Sequence, residues 1–137
     1  MRLYYAHDIR VYGTEAEIEA LQRIAVEYPK AEIINPATDI EQPTEGRPPR
    51  KVMEDCLEEV SKADILVFSA YEDSYIRNGV KNEIAVAKMA KIPVLYLEGE
   101  TGRFVPLEGV EFGLGALGES AKTFIIDSSV PRLGSEK

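Results

Sequence analysis

A glutamate, two arginines and a histidine in this chain lie where predicted strands give way to loops. They are His7 and Arg10 in His7-Asp8-Ile9-Arg10-Val11-Tyr12-Gly13, and Arg77 and Glu83 in Arg77-Asn78-Gly79-Val80-Lys81-Asn82-Glu83. An arginine fork suits bidentate contact with phosphate or carboxylate. Arg10 has a second use, as a surface partner of Asp8. His7 titrates near neutrality, which suits a general acid or a ligand contact. A strand-end histidine bonded to the backbone is the other reading. Gly79 permits a close backbone approach or a positive φ. Glu83 is expected in the first turn of a helix, where the dipole favours the ionised carboxylate. Such a carboxylate, aimed into a pocket, can attack a sugar anomeric carbon. Glutamate is also common in first turns for the sake of the dipole alone.

These residues need strands and helices to bring them together. Residues 2–6 (RLYYA) read as a first strand. Thr14 and Glu17 form a capping box for a helix over about 15–28, in which Ile18, Leu21, Ala25 and Tyr28 recur at helical spacing. Pro29 ends it. Residues 31–35 read as a second strand, and 36–49, with four prolines and a glycine, as an irregular loop. Val52, Met53, Cys56, Leu57 and Val60 mark a second helix. Residues 64–69 (DILVFS) form a continuous apolar strand, as in a parallel sheet covered on both faces. A third helix starts near Gly79 or Val80, and 92–97 is a fourth strand. Six glycines and little periodicity over 98–121 predict a long mobile loop that closes toward the site. Residues 122–126 are a last strand. The domain spans 1–127, with a loose tail over 128–137.

Alternating strands and helices predict a three-layer α/β sandwich, flavodoxin- or Rossmann-like, with a mainly parallel sheet of about five strands. Ligands of such sheets bind at the carboxyl ends of the strands. The loops at 7–13, 36–49 and 70–79 therefore carry the interest, and Ser69, closing the third strand, joins them.

Composition removes several classes. With one cysteine and one histidine among 137 residues, a disulfide framework, a Cys-cluster zinc site and a two-histidine metal site are excluded within one chain. No metal or other cofactor is expected. The net charge of −8 argues against nucleic-acid binding. No apolar run approaches the roughly 20 residues of a membrane span, and the first residues do not read as a signal peptide, so the expected setting is the cytoplasm. Cys56 falls on an apolar helix stripe and reads as a buried, inert thiol. A phospho-receiver domain needs an aspartate where the third strand ends, and this one ends Phe68-Ser69-Ala70.

Three motifs together resemble the nucleoside 2-deoxyribosyltransferase family, most closely its 2′-deoxynucleoside 5′-monophosphate N-glycosidase branch. They are Leu3-Tyr4-Tyr5-Ala6 followed by Ile9-Arg10; Ala63-Asp64-Ile65-Leu66-Val67; and Gly79-Val80-Lys81-Asn82-Glu83, followed by Ala87 and Lys91-Ile92-Pro93-Val94. The family pattern for the last is G-x-x-x-E, a helix of small residues, then G-K-P-V. The resemblance covers about residues 2–97. It implies that Glu83 is a nucleophile that takes the deoxyribosyl group and that Tyr4 lies beside it. Ile9 and Arg10 would wrap a phosphate, with His7, Ser69, Arg77 and Gly79 completing the substrate site. It also implies a nucleoside or nucleotide as ligand and a homodimer or higher homo-oligomer. Three positions depart from the pattern. Cys56 stands where the family has an aspartate, Arg77-Asn78-Gly79 replaces D-x-G or S-x-G, and His7 replaces a glycine. The cysteine favours a non-catalytic nucleotide-binding or sensor protein of the same fold, whereas Tyr4 and Glu83 favour the enzyme.

Overall fold

In a computed structural model of the protein, the structure describes residues 1–41, 46, 48–72, 74–111, 114–117 and 124–126. The strands are β1 (Arg2–Ala6), β2 (Glu32–Ile34), β3 (Ile65–Phe68), β4 (Tyr75–Ile76), β5 (Val94–Leu97), β6 (Phe104–Glu111), β7 (Leu114–Leu117) and β8 (Ile125–Ile126). The helices are α1 (Glu15–Glu27), α2 (Pro49–Ser61) and α3 (Asn78–Met89). A 3-10 turn spans Ile9–Val11, and a π-helical turn, Ala37–Glu41, interrupts the loop after β2.

The main sheet has six strands in the order β2-β1-β3-β5-β6-β7. The first four are parallel, and β6 and β7 are antiparallel additions. From β1 the chain steps outward to β2, then returns past β1 to β3. The switch point of the sheet therefore lies between β1 and β3, where a crevice is expected at the carboxyl ends.

Side chains alternate across a strand, so each central strand feeds two cores. Leu3, Tyr5, Ile65, Val67 and Leu97 pack with Ile24, Leu21 and Ala20 of α1. Tyr4, Ala6, Leu66, Phe68, Val94 and Tyr96 pack with Val52, Cys56 and Val60 of α2 and with Val80, Ile84 and Ala87 of α3. Two apolar layers on one sheet make the predicted three-layer sandwich. Burying each large side chain contributes about 1.5–3 kcal/mol.

The amino edge of the sheet is tied by polar contacts. The Arg2 N–H donates to Asp64 Oδ2 at 2.8 Å, and the Arg2 guanidinium reaches Glu59 at 2.6 Å and Glu32 at 3.3 Å. Asp64 thus aligns β3 with β1, far from the ligand edge.

Three expectations need correction. The 98–121 segment is not one long loop, because 104–111 and 114–117 are strands that extend the sheet. The glycines and the lack of periodicity hid these strands, in which Pro106 pairs with Leu95 of β5 and Leu107 with Leu117 of β7. The glycine content has a local use too. Gly102 takes φ +72°, and its carbonyl accepts a 2.8 Å bond from Arg23 Nε of α1. Second, the last strand is short and lies outside the main sheet. β8 pairs in parallel with β4, a strand inside what reads as a polar loop. Third, the apolar stripe of α1 is rotated, with Ile24 fully buried and Ile18 53% exposed. Polar contacts of Glu17, described below, turn the helix this way. The tail over 128–137 lies outside the described residues.

Candidate functional site

Tyr4 sits at the middle of β1 and faces the α2/α3 side. Its hydroxyl donates to Glu83 Oε2 at 2.6 Å. The two residues are 79 positions apart in sequence, and only the sheet-and-helix packing joins them. Glu83 is 5% exposed and Tyr4 is fully buried. Burial pushes the Tyr4 phenol well up, and the neighbouring Glu83 and Cys56 push it further, so it remains a donor. Cys56, buried on α2, lies in the same core cluster as Tyr4.

One expectation about Glu83 changes. The helix opens at Asn78, with Arg77 as its N-cap, so Glu83 is its sixth residue and not in the first turn. The dipole effect fades within that turn. The Tyr4 hydroxyl contacts this carboxylate directly, at a position beyond the helix's first turn.

Tyr5 faces the opposite side of the sheet and starts a second polar cluster. Its hydroxyl bonds Ser69 Oγ at 2.8 Å across β1 and β3. Its ring stacks on His7, with centroids 4.0 Å apart and planes within 7°. His7 Nε2 meets Glu17 Oε2 at 2.8 Å, and Nδ1 meets the Tyr5 carbonyl at 3.1 Å. Both ring nitrogens thus face protein oxygens, and a neutral ring can donate to one of them. Burial lowers the His7 pKa, against the opposing pull of Glu17. Desolvation raises the Glu17 carboxyl, but hydrogen bonds from His7, the Gly13 N–H and Asn35 outweigh it and hold it below its usual range. The Gly13 N–H reaches Glu17 Oε1 at 2.9 Å. The capping box is therefore half formed. Thr14 accepts from the Glu17 N–H, while the Glu17 side chain turns to Gly13 and His7 instead of Thr14.

Arg10 lies on the 3-10 turn with Ile9, which is half-buried. Asp8, 1% exposed, accepts the Arg10 N–H at 2.8 Å, Nε–H at 3.0 Å and Nη2–H at 2.8 Å. The guanidinium also lies 4.0 Å over the Tyr71 ring. A fork held on one edge by a carboxylate and on one face by an aromatic ring has few rotamers left to lose. Arg77 is half-buried at the mouth of α3, where its side chain does not cap the helix. Gly79 has an ordinary helical φ, and among the described residues a Cβ there would meet Met53, at 3.8 Å. Neither a positive φ nor close protein packing explains the glycine.

The structure thus joins Tyr4 to Glu83 and Ser69 to Tyr5, and it fixes Arg10 above the loop that ends in Arg77. Sequence reasoning missed the burial of Asp8, the ring of Tyr71 under Arg10, and the use of Glu17. The Thr14-to-Glu17 spacing pointed at Glu17, but its link to His7 depends on how α1 docks. Among the described residues, no group of three or more His, Cys, Asp or Glu could hold a metal ion, and no helix is long and apolar enough to cross a membrane.

Comparison with family models, curated proteins and solved structures finds no match to the chain.

Proposed function

We propose that the protein is a nucleoside or nucleotide N-glycosidase or 2-deoxyribosyltransferase with Glu83 as nucleophile. The observation that carries the reading is the buried 2.6 Å bond from Tyr4, on a strand that borders the switch point of the sheet, to Glu83. The motif resemblance over residues 2–97 supports it. In the reaction, a Glu83 oxygen bonds to C1′ of the sugar as the N-glycosidic bond breaks. The electron pair of that bond leaves with the base, which picks up a proton. Water or a second base then attacks C1′ and releases Glu83. Tyr4 is the orienting donor. Arg10 and Arg77 hold the 5′-phosphate, with Ile9, Ser69, His7 and Gly79 shaping the rest of the site. The setting is the cytoplasm and the assembly a homodimer or larger homo-oligomer.

A second reading, a nucleotide-binding or sensor protein without turnover, is favoured by two observations. Cys56 replaces the family aspartate beside Tyr4, and Glu83 is only 5% exposed.

The test is release of free base from a panel of deoxyribo- and ribonucleoside monophosphates, followed by chromatography. The expected outcome is release by the wild type and a loss of several orders of magnitude in Glu83→Gln at unchanged nucleotide affinity. Tight binding without release from any substrate selects the second reading. Release by Glu83→Gln at the wild-type rate removes Glu83 as nucleophile.

A further inference from the structure

The chain comes back to the ligand edge at residues 124–126. Phe124 is 2% exposed and sits edge-on against Phe68, the last residue of β3, at 5.3 Å, and against Tyr96 of β5 at 4.8 Å. Two residues of strand follow. The Ile125 N–H donates to the Ser74 carbonyl at 2.9 Å, and Ile125 and Ile126 pair in parallel with Tyr75 and Ile76. Ile76 is 5% exposed, and the next residue, Arg77, stands at the N-terminal boundary of α3. At the other end of the same loop, Tyr71 pairs with Tyr75 through bonds of 2.8 and 3.0 Å and carries the Arg10 guanidinium on its ring. Between them Glu72 takes φ +53°, a conformation that costs a non-glycine residue energy unless its surroundings hold it.

We infer that residues 124–126 are a strap that holds the 71–77 loop in place, with Phe124 as its anchor. Through that loop the strap sets both arginines at the ligand edge, Arg10 by way of the Tyr71 ring and Arg77 directly. Phe124 is a positioning residue in this scheme. The part concerning the loop stands on the contacts alone, while the consequence for ligand rests on the phosphate reading given above.

The first experiment uses the wild-type protein. If strap and loop open as one unit, the amides of Tyr71, Tyr75 and Ile125 exchange with hydrogen-opening equilibria that agree within a few-fold. An Ile125 amide that opens more than about tenfold more often than Tyr71 and Tyr75 overturns the strap. The second uses Ile125→Pro, which deletes the N–H to Ser74 at a side chain 51% exposed and spares the core. Exchange at Tyr71 and Tyr75 should rise at least about tenfold while the β1 amides stay as they were. Unchanged exchange at Tyr71 and Tyr75 also overturns it. In titration calorimetry with 2′-deoxynucleoside 5′-monophosphates, the same variant should bind about tenfold more weakly or worse. The matching nucleosides without phosphate should lose less. If the wild type binds no monophosphate, the phosphate reading fails, and the two exchange measurements still decide the strap.

Discussion

Two adjacent tyrosines show how much a hydroxyl's surroundings matter. Tyr4 is fully buried, and its partner Glu83 is 5% exposed, whereas Tyr5 bonds a half-exposed Ser69. Water can replace a lost partner at Ser69 but not at Glu83. Tyr4→Phe should therefore cost about 1–3 kcal/mol in urea unfolding, and Tyr5→Phe clearly less. Equal losses would mean that solvent reaches Glu83 freely. The His7–Glu17 pair predicts an acid-sensitive fold. Both groups have folded-state pKa values below their ordinary 6.5 and 4.5. A lowered histidine binds its proton more readily when unfolded, so stability falls as pH drops below about 6.5. A lowered carboxyl gives stability above about 4.5 that is lost as pH falls through its folded value. The two effects have the same sign. The urea midpoint should fall steadily from pH 7 to pH 4, and the gap between wild type and Glu17→Gln should narrow toward acid. A gap that is constant with pH would show that Glu17 acts by packing alone.

The ends of α3 carry the predictions at the scale of elements. At the carboxyl end, the Ile92 N–H reaches the Ala87 carbonyl at 2.8 Å and the Lys91 N–H reaches Lys88 at 3.0 Å, a Schellman closure. The closure puts Lys91 at φ +62°, where a glycine would carry no Cβ penalty. In the family pattern this position is the glycine before K-P-V. Lys91→Gly should stabilise the protein by roughly 1 kcal/mol in urea unfolding, and a destabilised variant would show that the lysine side chain has a partner worth more. At the other end, Gly79→Ala should stabilise by about 0.5–1 kcal/mol, because the Cβ has room beside Met53. If the same variant binds nucleotide more weakly, the glycine serves the ligand; unchanged affinity removes Gly79 from the site. These elements also mark what could be read from sequence. Continuous apolar runs such as Ile65–Phe68, helical spacing and the stop at Pro29 are local signals, and they placed α1, α2, α3 and the four parallel strands. β4 and β8 are two residues each and exist only because they pair with one another across the fold. No local pattern announces that.

Among the described residues, burial falls from β1 and β3 toward β2 at one edge of the sheet. β1 and β3 are covered on both faces and flanked by strands on both sides, while β7 stands at the edge. Amide exchange should follow position in the sheet, slowest in β1 and β3 and fastest in the β6–β7 hairpin, with addition of a bound nucleotide changing the loops before the strands. Slower exchange in β6 than in β1 would contradict it. The three-layer architecture was legible because both faces of each central strand are apolar. The candidate site was legible only in part. Tyr4 and Glu83 could be linked through motif resemblance, but the Asp8–Arg10–Tyr71 stack and the His7–Glu17 contact depend on docking of α1 and of the 71–77 loop.

Tyr4 and Tyr5 point to opposite faces of β1, one ending in Glu83 and the other in His7 and Ser69. A strand with period two works as a switch between frames. Removing one residue upstream, Leu3 for instance, would seat Tyr5 in the slot that Tyr4 now fills and move His7 into the α2/α3 core. Most apolar positions nearby would still receive an apolar or aromatic side chain, the exception being the Ala6 slot, which would receive His7. The deletion would nonetheless exchange the two polar clusters across the sheet and disconnect both. Tolerance to insertions and deletions should therefore drop sharply over residues 2–7 and recover a few residues later, in the turn before Thr14. That footprint, read from a library of single-codon deletions, would report on the site without any substrate being known.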